Sequence, residues 1–341
     1  MKKMFGMVVI VFGFIFILAA CGEQSQEDVA EKLESTLESM EGYKAKAEMT
    51  MNTGQEDQKY HIDIWHKKEG FYRVELSNDQ SEEGNQVILK NEDGVFVLSP
   101  ELNKSFKFQE EWPQNGSQPY LYQSLVNDIL KDSEAEFEAS EDRYTFETKT
   151  NYQSNNNLPY QEVQFDKKSY TPVMVKVMDK DRNALVQVNF SEFNTDPTFE
   201  DGDFTMDKNM TNEAADASVS GDGEEEAETG TFSVLYPQHM AGSELVEETQ
   251  VDTESGERVI MTFSGEKDFT LVEEQQEVVP TMSTPQMVEG EIVNLGHSIG
   301  ALSDNTIEWT HNGMSFVLAS DELTRNELIE VAQSVQGQEV K

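Results

Sequence analysis

The chain has 341 residues, which at roughly one domain per 150 residues suggests two domains. Its 66 acidic residues against 25 basic ones give a formal charge of −41, with hydrophobic residues at 37%. Such a polyanion is excluded from binding nucleic acid through a general basic footprint and from settling on an anionic lipid surface by charge, and its apolar content argues against wholesale disorder. A single cysteine, Cys21, excludes an intramolecular disulfide framework and a multi-cysteine zinc site.

Lys2 and Lys3 precede an uncharged run from Met4 to Ala20, the pattern of a secretory signal peptide. The run ends in Leu18-Ala19-Ala20-Cys21-Gly22. This resembles the bacterial lipobox, which implies cleavage after residue 20 and a diacylglyceryl and palmitate-type anchor on the Cys21 thiol. The competing reading is an uncleaved membrane helix with an incidental cysteine. The position of the only cysteine favours the lipobox. Two acyl chains hold a protein on a membrane stably, where one would not. The mature chain would keep 23 basic and 66 acidic residues, a charge of −43.

Ser25 to Asp28 reads as a capping-box start, and Val29, Leu33, Leu37 and Met40 then recur at helical spacing. After Gly42 the period changes to two. Ala45, Ala47, Met49 and Met51 alternate with polar residues, as do Tyr60, Ile62 and Ile64. Further strands are expected at 71–76, 86–91, 95–99 and 105–109, and a second helix from about Pro119 to Lys131. Five more strands are expected at 134–139, 144–149, 160–166, 173–178 and 185–193. A long antiparallel meander must cover one face, and two helices are available to do so. The expectation is an α+β fold in which a curved antiparallel half-barrel sheet, residues 21–206, carries helices in its mouth. Residues 207–230 hold eight acids, one lysine and no aromatic residue, and read as an acidic flexible linker. Residues 231–341 read as a smaller α+β domain. Its strands are expected at 245–253, 257–264, 269–274, 286–295, 306–311 and 314–319. Thr324 to Glu327 is a capping box opening a last helix.

Residues 165–206 contain Asp166, Pro172, Asp179 to Asn183, Val186 to Phe190, Phe193, Asn194 and Phe204 in an order that resembles the closing strands of the LolA/LolB-like lipoprotein-carrier fold. The resemblance implies an unclosed antiparallel barrel with helices in its mouth and a cavity that accepts acyl chains. Ile307-Glu308-Trp309, Gly313, Phe316 to Leu318 and Ala332 to Val335 resemble an uncharacterised C-terminal domain of extracytoplasmic proteins from spore-forming bacteria. Together the two parts are similar to a sporulation-associated lipoprotein group of Bacillus-type organisms.

His61, Asp63 and His66 are close in sequence, but on a strand residues 61 and 63 share a face that 66 does not, so rim residues are favoured over a metal site. There is no G-x-S-x-G and no glycine-rich phosphate loop. The expectation is a binding protein and not an enzyme, with no cofactor and no metal. Candidate cavity residues are Met49, Met51, Ile62, Ile64, Leu89, Phe106, Phe108, Phe146, Phe165 and Val175. A fully packed core is the equal alternative. The expected protein is anchored through Cys21 on the outer face of the cytoplasmic membrane. It would bind an acyl chain or a lipidated partner in sporulation, spore envelope maturation or germination. The alternative is a structural or regulatory module that holds a cell-wall enzyme or another spore-envelope protein at the membrane. No nucleic-acid partner is expected.

Overall fold

The computed structural model describes residues 24–52, 57–78, 81–108, 112, 118–151, 158–210, 234–253, 256–275, 285–288, 290–295, 298–311 and 313–336. Cys21, the apolar leader and residues 211–230 of the expected linker lie outside the described residues. The fold is mostly β-sheet with a few helices, arranged as two open sheets and a small ribbon.

Helix α1, Gln26–Ser39, opens with the expected capping box. The Asp28 amide donates to Ser25 Oγ at 3.2 Å, and the Ser25 amide donates back to Asp28 Oδ2 at 3.2 Å. Six antiparallel strands follow: β1 (Gly42–Met51), β2 (Gln58–Lys67), β3 (Phe71–Asn78), β4 (Ser81–Asn91), β5 (Gly94–Ser99) and β6 (Lys104–Phe108). Helix α2, Tyr122–Lys131, comes next. The meander then resumes with β7 (Glu136–Ala139), β8 (Arg143–Lys149), β9 (Tyr160–Asp166), β10 (Pro172–Met178) and β11 (Ala184–Asn194). β11 returns to pair with β1, so the two meanders become one sheet ordered 6-5-4-3-2-1-11-10-9-8-7.

Laid flat, so many strands at about 4.8 Å spacing would span roughly 50 Å, far more than two helices of about 10 Å diameter can cover. Yet side chains from β5, β6, β8 and β9 share one contiguous core with Val29 and Leu33 of α1 and Leu125, Val126 and Ile129 of α2. The sheet must therefore coil around the helices.

The other face of β3–β5 is also covered. Val87, Leu89, Phe96 and Leu98 form a second layer with Phe204 and Met210, flanked by Trp65, Phe71 and Phe199. This corrects two expectations. Leu89 does not point into the helix-covered core. In the run Val87-Ile88-Leu89 it is Ile88 that does so, because successive strand residues alternate faces. The first residues of the expected linker are also structured. They form helix α3, Met206–Met210, whose Asn209 accepts from Arg73 Nε at 2.6 Å and whose Met210 is buried.

The second sheet is antiparallel and ordered 13-14-15-20-19-18-17. It comprises β13 (Ser243–Thr253), β14 (Gly256–Gly265), β15 (Phe269–Gln275), β17 (Glu291–Asn294), β18 (Ile299–Leu302), β19 (Thr306–His311) and β20 (Met314–Ala319). Helix α4, Arg325–Gln333, packs on it through Leu328, Ile329, Val331 and Ala332. β12 (Tyr236–Pro237) and β21 (Val335–Gln336) form a separate short ribbon.

The expected single strand 286–295 is divided. β16 (Gln286–Val288) pairs in parallel with β6 on the edge of the first sheet, whereas β17 joins the second. Gly290 lies between them, and a Cβ there would sit 2.3 Å from the Leu302 carbonyl oxygen. Val288, Ile292, Ile299 and Ala301 accordingly contribute to the first core.

A buried glutamine joins the sheets. Gln86 Nε2 donates to Thr310 Oγ1 at 3.0 Å, while its Oε1 accepts from the Ile299 amide at 2.9 Å and from Ser298 Oγ at 3.2 Å. Ser99 Oγ lies 2.8 Å from Thr310 Oγ1, and Lys104 Nζ donates to Ser315 Oγ at 2.9 Å.

Candidate functional site

The helix-covered face of the first sheet gathers nine of the ten cavity candidates. Met49, Ile62, Ile64, Phe106, Phe108, Phe146, Phe165 and Val175 are buried in one core, and Met51 packs half-buried at its border. Leu89 lies outside it, as described. Alternation places them there: Ala45, Ala47 and Met49 on β1 face inward with Ile62 and Ile64 on β2, in register Ala45↔Ile64 and Ala47↔Ile62.

The core is filled. Ile64, Phe146, Phe165 and Val175 expose 0% of their surface, and Phe106, the most exposed of the eight buried candidates, only 8%. A side chain without accessible surface borders no void able to admit even a water molecule, so an acyl chain has no preformed space beside these residues.

Aromatic side chains make the seal between sheet and helices. Tyr43 stacks on Phe193 at 5.0 Å, and Tyr122 of α2 meets Phe193 edge-on at 5.8 Å. Phe146 in turn meets Phe165 edge-on at 6.2 Å. Burial pushes the Tyr43 and Tyr122 hydroxyls well above their usual range, so both remain neutral. Tyr43 Oη accepts from the Tyr122 amide at 3.3 Å, and Tyr122 Oη donates to the Tyr170 carbonyl at 2.6 Å. Residues 43 and 122 were not among the sequence candidates. Their signal was available only as apolar bulk at a strand start and in a helix stripe.

Polar contacts pin the C-terminal end of α2. Buried Asp128 accepts from Gln161 Nε2 at 2.8 Å. The Asp132 carboxylate accepts from the Lys149 amide at 2.8 Å and from Thr148 Oγ1 at 3.0 Å. Helix α1 is held more lightly, with only Val29 and Leu33 fully buried. Just before α1, the Gln24 side-chain oxygen accepts from Tyr144 Oη at 2.5 Å and Tyr170 Oη at 2.9 Å.

His66 is a packing residue. Its ring stacks on Tyr72 at 4.4 Å, Nδ1 donates to the Phe71 carbonyl at 3.1 Å, and burial lowers its pKa, keeping it neutral. Asp63 accepts from Trp65 Nε1 at 2.8 Å. Among the described residues no group of three His, Cys, Asp or Glu is placed to hold a metal ion, and no helix is long and apolar enough to cross a membrane.

Among the described residues, surface cavities also lie outside the core. One, of about 620 Å³, is a wedge between the end of α1, the β2–β3 turn and residues 195–199, lined in part by Met40, Lys67, Lys68 and Phe199. Another, of about 350 Å³, lies on the opposite face of the sheet, between Trp65, Arg73, Glu101 and Lys208. Arg73 is fixed there by Asn209, by Glu75 Oε2 at 2.9 Å and by the face of Trp65 at 4.7 Å.

Among solved structures, the Pseudomonas aeruginosa MucA/MucB complex is 11% identical, covers 92% of this chain and 100% of that chain, and gives a TM-score of 0.34. A LolA superfamily protein from Nitrosomonas europaea is 12% identical, covers 55% and 100%, and gives 0.31. In sequence the likeness is far stronger. "Sporulation protein YdcC" of Bacillus subtilis (strain 168) is 47% identical over 328 residues, 96% of this chain and 95% of that protein. The family model "Sporulation protein YdcC-like" matches residues 1–204, a span that runs from the apolar leader through β1 to β11 of the helix-covered sheet to Phe204 on its outer face. The chain therefore belongs to the YdcC-like sporulation protein family.

Proposed function

We propose that this sporulation protein is a lipid-anchored, extracytoplasmic binding module that holds a protein partner at the outer face of the cytoplasmic membrane. It performs no covalent chemistry. The observation that carries this reading is the filled core: the face that would house an acyl chain is occupied by the protein's own helices. The remaining surface is available to a partner.

The anchor geometry fits. If Cys21 is acylated, only two residues, three Cα steps, separate it from Gln24, which is fastened to Tyr144 and Tyr170. At no more than about 3.6 Å per residue, the body stands within roughly 11 Å of its anchor. A partner gripped by this body is held near the membrane surface. The process would be spore envelope maturation or germination.

Acyl-chain carriage is a second reading, favoured by the light attachment of α1. Exposing Val29 and Leu33 would cost about 3–6 kcal/mol, with a further contribution from partly buried Ala30 and Leu37, whereas burying ten methylenes returns about 8 kcal/mol. A ligand could therefore displace α1 and take its place.

Crosslinking in sporulating cells, followed by purification and mass spectrometry, tests the first reading. A defined protein crosslinked to the full chain is the expected result. Reproducible co-purification of a lipid with residues 22–341, together with no crosslinked protein, would overturn it in favour of carriage.

A further inference from the structure

The longest edge of the second sheet is uncovered. β13 pairs with β14 on one side and, among the described residues, with no strand on the other. All nine residues from Glu244 to Asp252 are exposed, with Tyr236 Oη donating to Glu248 Oε2 at 2.9 Å on one face. Leu245, Val246 and Val251 expose 39%, 60% and 41% of their surfaces, which puts three of the six exposed large hydrophobic side chains among the described residues on this one strand.

Val246 forms a bulge, where the register slips between Leu245 and Glu247. Beyond it, Glu247 to Thr253 pair regularly with Thr262 to Gly256. Half of the backbone N–H and C=O groups of such a run point away from β14, forming a template for another extended chain.

Natural edges are commonly guarded by charged side chains, by proline or by bulges. β13 has no lysine or proline, and its guards are the bulge at Val246 and the acids Glu244, Glu247, Glu248 and Asp252. These acids select the occupant. A second copy of β13 would set like charges against one another across the new ladder, which is destabilising. The chain's own acidic segment 211–230 has the same sign. A basic strand meets the opposite situation.

We infer that the β13 edge docks an extended, basic segment of a partner protein by strand addition, with cations opposite Glu247, Glu248 and Asp252 and β-branched residues opposite Thr249 and Val251. Main-chain hydrogen bonds would supply affinity and the cross-strand pairs register. The inference rests on the reading of the protein as a partner-holding module and names the surface that does the holding.

The test uses residues 22–341 and a labelled nine-residue peptide of lysine, valine and threonine, with lysines at the positions set opposite Glu247, Glu248 and Asp252, read by fluorescence anisotropy. The peptide should bind. Methylating its alternate backbone nitrogens should weaken binding by at least about tenfold, because the added strand loses its ladder. Equal binding of both peptides would mean general attraction to a polyanion and would overturn the inference.

Thr249→Pro and Gln250→Pro are the paired variants. Neighbouring residues alternate between inward and outward N–H, so one substitution removes a bond to β14 and the other an outward donor. The folded outward variant should lose the peptide. Unchanged binding by both, or a concentration-dependent dimer that proline abolishes, would overturn the inference. If neither variant folds, Glu247→Lys and Asp252→Lys take their place, and undiminished binding by both would be the negative result. A partner that still crosslinks in cells to a folded edge variant would refute the edge while leaving the partner-holding reading intact. Failure to crosslink any partner to the parent would remove that reading whatever the peptide does.

Discussion

Glu273 is a carboxylic acid in the wrong solvent. It occupies the buried face of β15 with Phe269 and Leu271, and exposes none of its surface. Its Oε2 accepts from the Leu235 amide at 2.9 Å, while Oε1 has no hydrogen-bond partner. Burial pushes its pKa up to about 8; the Leu235 amide pulls down against this, and the charge of Glu248 adds to the rise. An ordinary glutamate titrates near 4.5. Between these two values the folded chain keeps a proton that the unfolded chain has released, so stability falls as pH rises. The loss is absent below about pH 4.5 and complete above about pH 8. At about 1.4 kcal/mol per pH unit its ceiling is roughly 5 kcal/mol.

Glu273→Gln removes the titration and keeps an acceptor for Leu235. Its unpaired amide group replaces the similarly unpaired acid hydroxyl, so the two proteins should be nearly equal at low pH. The variant should then be more stable by a few kcal/mol at pH 9 and by under about 1 kcal/mol at pH 5. Urea unfolding at the two pH values, followed by tryptophan fluorescence, to which buried Trp309 contributes, measures the difference. The same gain at both pH values would refute the buried-proton argument.

Phe146→Ala should cost about 3–5 kcal/mol by removing a fully buried ring from between Phe137 and Phe165, seen as a lowered thermal midpoint. Gln86→Ala strips partners from the Ile299 amide, Ser298 and Thr310, and should cost about 1–3 kcal/mol in urea unfolding. Cys21→Ala should leave unprocessed precursor and abolish incorporation of radiolabelled fatty acid. Unchanged labelling would remove the anchor from the proposed function.

Where one face of a strand is buried, the sequence is easy to read. β2 alternates Tyr60, Ile62 and Ile64 against His61, Asp63 and Trp65, and the inner set is the one in the core. Where both faces are buried, alternation disappears. Val87-Ile88-Leu89 offers three apolar residues in a row, and only the layer formed by Phe204 and Met210 shows that the outer pair has a cover of its own. That layer is hard to foresee because Met210 opens a run otherwise rich in acids. The division of residues 286–295 between two sheets is equally hidden. Both halves have strand character, and the pairings that separate them, of Gln286 with Phe106 and of Glu291 with Leu302, are long-range. Glu273, by contrast, was open to detection. It shares the period-two face of Phe269 and Leu271, and a charge on such a face implies a perturbed acid.

The excursion of β16 to the edge of β6 has a bearing on how the molecule would respond to a protease. A cut anywhere between residues 211 and 230 severs the covalent link but touches neither the β6–β16 pairing nor the bonds around Gln86. The nicked protein should run as two fragments in denaturing gels and as one particle in a sizing column. Expressed without the first sheet, residues 231–341 would present Val288, Ile292, Ile299 and Ala301 to water. The C-terminal portion is thus a poor candidate for isolated production, and a truncation that removes it bares the matching surface on the portion that remains.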